Sequence, residues 1–149
     1  MGTVMLAYDR LGARRTSIGP AAITYDRLGS RPRRVGHLDI GYDRAGARLR
    51  SIGAAQVDYD HLGLRATSVG PWEVEYDRLG ARRRRVGPYH LTYDLLGSRV
   101  HGVGSMTIEY DLAGTRAGRV IVPGDDDALA DDDLVVVFFV LVGADQLEG

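Results

Sequence analysis

The stretch Trp72-Glu73-Val74-Glu75-Tyr76-Asp77-Arg78-Leu79-Gly80-Ala81-Arg82-Arg83-Arg84-Arg85-Val86-Gly87-Pro88 decides how the chain is read. Trp72, Val74 and Tyr76 alternate with Glu73 and Glu75, the period-2 signature of a strand with one buried face. Asp77 to Gly80 then reads as a turn. The Asp side chain can bond the backbone two residues on, and the Gly supplies the positive φ of a type I turn with a G1 bulge. At the other end, Val86-Gly87-Pro88 reads as a two-residue loop of type II′, with Gly first and Pro second, where a φ near about −65° is wanted. These two turns predict a pairing with Tyr76 opposite Arg82, Val74 opposite Arg84 and Trp72 opposite Val86. All of these project to one face, which places Arg83 and Arg85 on the other.

The same unit extends outward in both directions. Tyr8, Tyr25, Tyr42, Tyr59, Tyr76, Tyr93 and Tyr110 are each followed by Asp and recur every 17 residues; of the eight tyrosines only Tyr89 falls outside the register. A period this regular outranks any other signal in the sequence. It divides the chain into a body of seven hairpin repeats over residues 1–124 and an acidic linker with an apolar C-terminal segment over 125–149, expected to pack on or inside the body.

The fold expected is all-β, an antiparallel up-and-down meander of seven hairpins, curled or closed into a barrel. A β-solenoid with one repeat per coil is the alternative. A solenoid would stack seven Arg and seven Asp in ladders roughly 4.8 Å apart, whereas the meander keeps identical residues roughly 9.5 Å apart with an Arg between successive tyrosines. That spacing permits Arg to stack on Tyr faces, and it favours the meander.

The Tyr-Asp-x-x-Gly-x-Arg turns, Tyr8-Asp9 and Tyr25-Asp26 and their equivalents across residues 4–124, resemble the YD repeats of bacterial RHS-type and teneurin-type shell proteins. That resemblance implies a spiralling β-sheet that encloses space.

After Val120-Ile121-Val122-Pro123-Gly124 the period stops. Asp125 to Asp127 and Asp131 to Asp133 flank Ala128-Leu129-Ala130, and Leu134 to Val142 follow without a polar side-chain atom. Asp131 can cap a helix with Asp132 and Asp133 in its first turn and Gly143 at its end, while the Val content favours a strand. Nine apolar residues cannot span a bilayer core that needs about 20 helical residues, so no transmembrane span is expected. Fourteen strands tilted by roughly 40° would enclose a radius of order 13 Å, room for a central helix and a layer of inward side chains. By architecture this is similar to the tubby-like proteins, in which a β-barrel surrounds an apolar C-terminal helix.

Composition narrows the chemistry. There is no Cys, which removes disulfides, thiolate metal sites and cysteine nucleophiles and gives no sign of an oxidising compartment. No basic n-region or long apolar run opens the chain, and a cytoplasmic location is expected. Lys and Asn are absent too, as a GC-rich genome would favour, so all 19 basic residues are Arg. All of them lie in the body, whereas residues 125–149 carry acids alone.

His37, His61, His90 and His101 occupy different repeat positions and do not promise a convergent metal site. The two Asp triplets lack the spaced ligands and Gly of a calcium loop and read as a solvated linker and a helix cap. Seven identical Tyr-Asp pairs point to a structural need met seven times, not to a catalytic constellation. Gly102-Val103-Gly104 is a turn with no helix after it, so no phosphate-binding fingerprint is present. No cofactor is expected.

Arg83, Arg85, Arg34 and Arg119 form a candidate anion-binding stripe on the outer face, near Arg15. Aromatic interleaving is missing there, so nucleic acid is not the expected partner. The function expected is a non-enzymatic structural or interaction scaffold, self-associating into a homo-oligomer through the first and last strands of an open sheet. The alternative is a binding module for an apolar or anionic lipid-like ligand, or a lipid or other anionic surface.

Overall fold

The computed structural model describes residues 2–9, 14–26, 31–43, 48–60, 65–77, 82–94, 99–111, 116–125 and 127–143. The middles of the Tyr-Asp turns, expected as type I with a G1 bulge, lie outside the described residues, as does His61.

The chain forms a closed antiparallel meander barrel of fourteen strands. Each repeat supplies one hairpin. In the fifth, β9 (Trp72–Tyr76) runs to the Tyr-Asp turn and β10 (Arg83–Val86) returns from it. The barrel closes where β1 (Gly2–Tyr8) meets β14 (Ala117–Val122), with Gly2 opposite Val122, Thr3 opposite Ile121, Val4 opposite Val120 and Met5 opposite Arg119. The solenoid alternative is thereby set aside.

The second turn is a two-residue loop in six copies. Val86 pairs directly with Tyr89, and Gly87 has φ +54°; its counterparts Gly19, Gly36, Gly53, Gly70 and Gly104 lie between +59° and +61°. No described residue other than Gly has positive φ, so the second loop position is ordinary backbone and the turn is type II′. In the seventh copy the position of that Gly holds Ile121. The strand therefore runs on to Val122, and this extension pairs with β1.

The pairing within each hairpin differs from the sequence expectation by one residue at the Tyr and by two beyond a bulge. Arg83, not Arg82, lies opposite Tyr76, and Val86, not Arg84, lies opposite Val74, with a bulge between Arg83 and Arg85. The same shift recurs in every hairpin. Its cause is the Tyr-Asp turn: the Asp77 amide donates to the Arg82 carbonyl at 2.8 Å, which fixes Asp77 and Arg82 as the closing pair and leaves one extra residue on the return strand.

Every second residue of the outgoing strands and the two ends of the return strands point into the lumen. Ile18, Val35, Ile52, Val69, Val86, Val103 and Val120, one per repeat, are all fully buried. The lumen is filled by α1 (Asp131–Phe138), which continues as a π-helical turn, Phe139–Gly143. Leu134 to Leu141 are buried on every side and share one core cluster with the strands.

Helix wins over strand despite the Val content because the barrel strands already pair with one another. A segment inside them must satisfy its own N–H and C=O groups, as a helix does. Asp131 is the first helical residue, not the cap. The N-cap is Ala130, whose carbonyl accepts the Leu134 N–H at 2.8 Å, and all three Asp sit in the first turn, where the helix dipole favours them.

Gly87 shows what the type II′ turns require. A Cβ there would sit 2.3 Å from Trp72 Cδ1 in addition to adopting a left-handed φ, whereas nothing lies within 4 Å of a Cβ at Gly124. Gly87→Ala is expected to cost more than about 1 kcal/mol of unfolding free energy and Gly124→Ala less than about 0.5 kcal/mol, measured by denaturant unfolding. Equal effects of the two would contradict this placement of Trp72.

Candidate functional site

Chemistry-bearing side chains gather at the two ends of the barrel. At the Tyr-Asp end they form one module repeated seven times around the circumference. Each Asp holds the Arg five residues on, Asp9 with Arg14 through to Asp111 with Arg116, at Nε to Oδ2 distances of 2.6–3.5 Å. That Arg lies over the Tyr ring of the next repeat, 4.4–4.9 Å from its centroid, from Arg14 over Tyr25 to Arg99 over Tyr110. Arg116 over Tyr8 completes the circle across the seam.

Each Tyr hydroxyl donates to a carbonyl of the neighbouring repeat at 2.5–2.8 Å, as in Tyr25 to Arg15 and Tyr59 to Leu49, and Tyr8 to Ala117 closes this ring as well. The repeated spacing thus serves lateral coupling between hairpins. Each Asp fixes an Arg, and the Arg covers a neighbour's ring.

The arginines singled out in the sequence do not share one surface. The bulge turns Arg83 inward, where its guanidinium lies 4.8 Å over the ring of Phe139, and Arg15 at the same repeat position lies 5.9 Å from Tyr8. Arg34, Arg85 and Arg119 do share an outward position, and each meets a carboxylate: Asp39 at 3.0 Å, Glu75 and Glu109 respectively. Glu75 also receives Arg84 at 3.1 Å. Exposed pairs of this kind contribute about 0–1 kcal/mol each, and here they offset much of the positive charge on that stripe.

The opposite end, at the Gly turns, is where the helix enters. His37 Nε2 lies 3.0 Å from Asp131 Oδ2, and the Tyr89 hydroxyl donates to Asp133 Oδ1 at 2.6 Å, so two turns grip the helix start. Trp72 meets Tyr89 edge to face, with centroids 5.9 Å apart. Beside this contact a cleft of about 420 Å³ opens between β5 (Leu38–Tyr42), β6 (Leu49–Ile52), β7 (Ala55–Tyr59), β9 and the helix. Leu38, Ile52, Ala55, Trp72 and Val135 line it together with Asp131 and Asp132. Two other surface clefts, near Tyr25 and Tyr42, are smaller, about 240 and 220 Å³.

The cleft was not singled out in the sequence. Its residues span positions 38 to 135 and only the closed barrel brings them together; Trp72 and Tyr89 as the aromatic residues among aliphatic ones at one repeat position were the available signal.

His90 and His101 are exposed on the outer face. Among the described residues no group of three His, Asp or Glu side chains could hold a metal ion, and no helix is long and apolar enough to cross a membrane. Comparison with known protein families, curated proteins and solved structures returns no match to this chain. The geometry is therefore what bears on function.

Burial pushes the pKa of all seven ring tyrosines upward, to about 12 for Tyr42 and Tyr59, against the lowering effect of the neighbouring arginines. Burial, with the bond to Asp133, raises Tyr89 as well. The folded barrel thus holds these phenol protons more tightly than the unfolded chain, whose tyrosines titrate near about 10. The stabilisation is complete below pH about 10 and is lost as pH rises through the folded values.

Tyrosinate absorbance and loss of near-ultraviolet circular dichroism are expected to rise together in one alkaline transition. Tyr59→Phe, which leaves the Leu49 carbonyl without its donor, should lower stability at neutral pH by about 1 kcal/mol. Tyrosines that ionise one by one while the fold persists would contradict the ring.

Proposed function

We propose that the protein is a non-enzymatic interaction scaffold, a rigid plugged barrel whose working surface is the Gly-turn mouth. The observation that carries this reading is the apolar cleft beside Trp72, which lies in the size range of ligand sites and combines apolar walls with few polar groups. At the opposite end the repeated acid and base groups serve the architecture: seven Asp are tied to seven Arg and seven Tyr hydroxyls to seven carbonyls.

Self-association by strand addition is closed to this barrel, because β1 and β14 pair with each other. Copies would meet through the mouth or the outer face. A lipid-sized guest within the lumen would have to displace the helix that fills it. The outer face alternates Arg with Asp, Glu, Ser and Thr on strands of 4–7 residues, which suits water and not lipid, since membrane strands need about 9–11 residues.

A neutral solvatochromic dye, Nile red, is expected to bind one per chain with a saturable blue shift and accompanying quenching of Trp72. Ala55→Phe, which fills the cleft, should abolish the signal while the melting temperature stays within a few degrees. Dye binding that is absent in the parent chain, or undiminished in Ala55→Phe, would count against the mouth as the working surface.

A further inference from the structure

We propose that the mouth cleft selects a small organic ammonium ion, an apolar body carrying one cationic head. Trp72, Leu38 and Ala55 would lie against the body, and Asp132 with Asp131 against the head. The inference rests on the mouth being the interaction surface and adds the sign of charge and the class of ligand.

The size of the cleft comes first. About 420 Å³ holds a body of roughly fourteen non-hydrogen atoms at about 30 Å³ each. Its walls are aliphatic on the β5 to β7 side and aromatic at Trp72, so a wholly polar ligand would leave them unmatched.

Charge then separates the candidates. The six Gly turns carry no Arg, and His37 is the one basic side chain among their loop residues, while Asp125, Asp127, Asp131, Asp132 and Asp133 lie in the segment leading into and starting the helix. An anionic head at this mouth meets repulsion, and a neutral ligand gains apolar burial alone.

Within the helix start, Asp131 faces His37 and Asp133 accepts from Tyr89. Asp132 lines the cleft with no hydrogen-bond or ion-pair partner among the described residues, so its carboxylate keeps its full capacity to accept from an ammonium group. The indole of Trp72 in the same wall adds an electron-rich face for the cation.

Trp72 is the one tryptophan of the chain, so its fluorescence reports on this cleft directly. Titration of the full chain with hexylammonium, hexanol and hexanoate compares one apolar body with three heads. Hexylammonium is expected to saturate at a concentration about ten-fold below that of hexanol, with hexanoate weakest, and molar salt should shrink the preference.

In Asp132→Asn, which leaves the His37 and Tyr89 contacts in place, the preference should fall to about two- to three-fold. Ala54→Arg sets a guanidinium from an exposed turn residue at the cleft and should compete the ammonium away. Equal affinities for hexylammonium and hexanol, or a preference unaltered in both variants, would overturn the charge selection while leaving the mouth as an apolar site. If neither these ligands nor Nile red registers at Trp72, the reading of the mouth itself falls with it.

Discussion

A closed barrel of fourteen strands has a lumen too wide for its own side chains to fill, and the rest of this structure depends on how that space is occupied. An α-helix is about 10–12 Å across with its side chains, which matches the gap left inside a wall of this radius. Leu134 to Leu141 meet the demand with side chains that are apolar all round, so the plug needs no preferred face and joins one core cluster with residues from every hairpin. The body and the tail are separate in sequence and one core in space. Without the plug, the ring of Ile18, Val35, Ile52, Val69, Val86, Val103 and Val120 would face water or collapse inward.

The wall has its own device for staying closed. Backbone pairing alone specifies each hairpin but only weakly the join between successive hairpins, since the first six return strands have four residues and part of that length is bulge. The Asp–Arg–Tyr module crosses these joins at the Tyr-Asp end, with a hydroxyl bonded to the neighbour's carbonyl and a guanidinium over the neighbour's ring. Because the seventh module reaches Tyr8 from Ala117 and Arg116, the seam is held in the same way as the other joins. At the opposite end the helix start is tied to the wall through His37 and Tyr89, and that asymmetry leaves the cleft open beside Trp72.

Much of this was legible in the sequence for a physical reason: a 17-residue period repeated seven times turns weak local signals into a consistent pattern. The alternation at Trp72, Val74 and Tyr76, the Gly-Pro loops and the uninterrupted apolar run after Asp133 each fix one element. The bulge was not read, because in the fifth copy Arg82 to Arg85 offer no contrast between inner and outer faces. The other copies do carry it: Leu49 and Ile52, Ala66 and Val69, and Ala117 and Val120 are buried pairs three apart, a spacing that a regular strand cannot place on one face. That single shift sends Arg83 from the expected outer stripe to the ring of Phe139. Closure is hard to read locally because it turns on Ile121 standing where six other copies have Gly, a one-residue exception at the end of the period. The cleft was beyond local reading, since four return or outgoing strands and the helix contribute to it.

The most direct test of the account is denaturant unfolding, with hydrogen exchange of the strand amides, of a chain ending at Gly124 against the full chain. If the plug is what makes the wall a barrel, the shortened chain loses its single cooperative transition, its strand amides exchange quickly and its exposed lumen drives aggregation. A shortened chain that stays monomeric, unfolds in one transition of similar midpoint and protects the amides of β1 and β14 would contradict it.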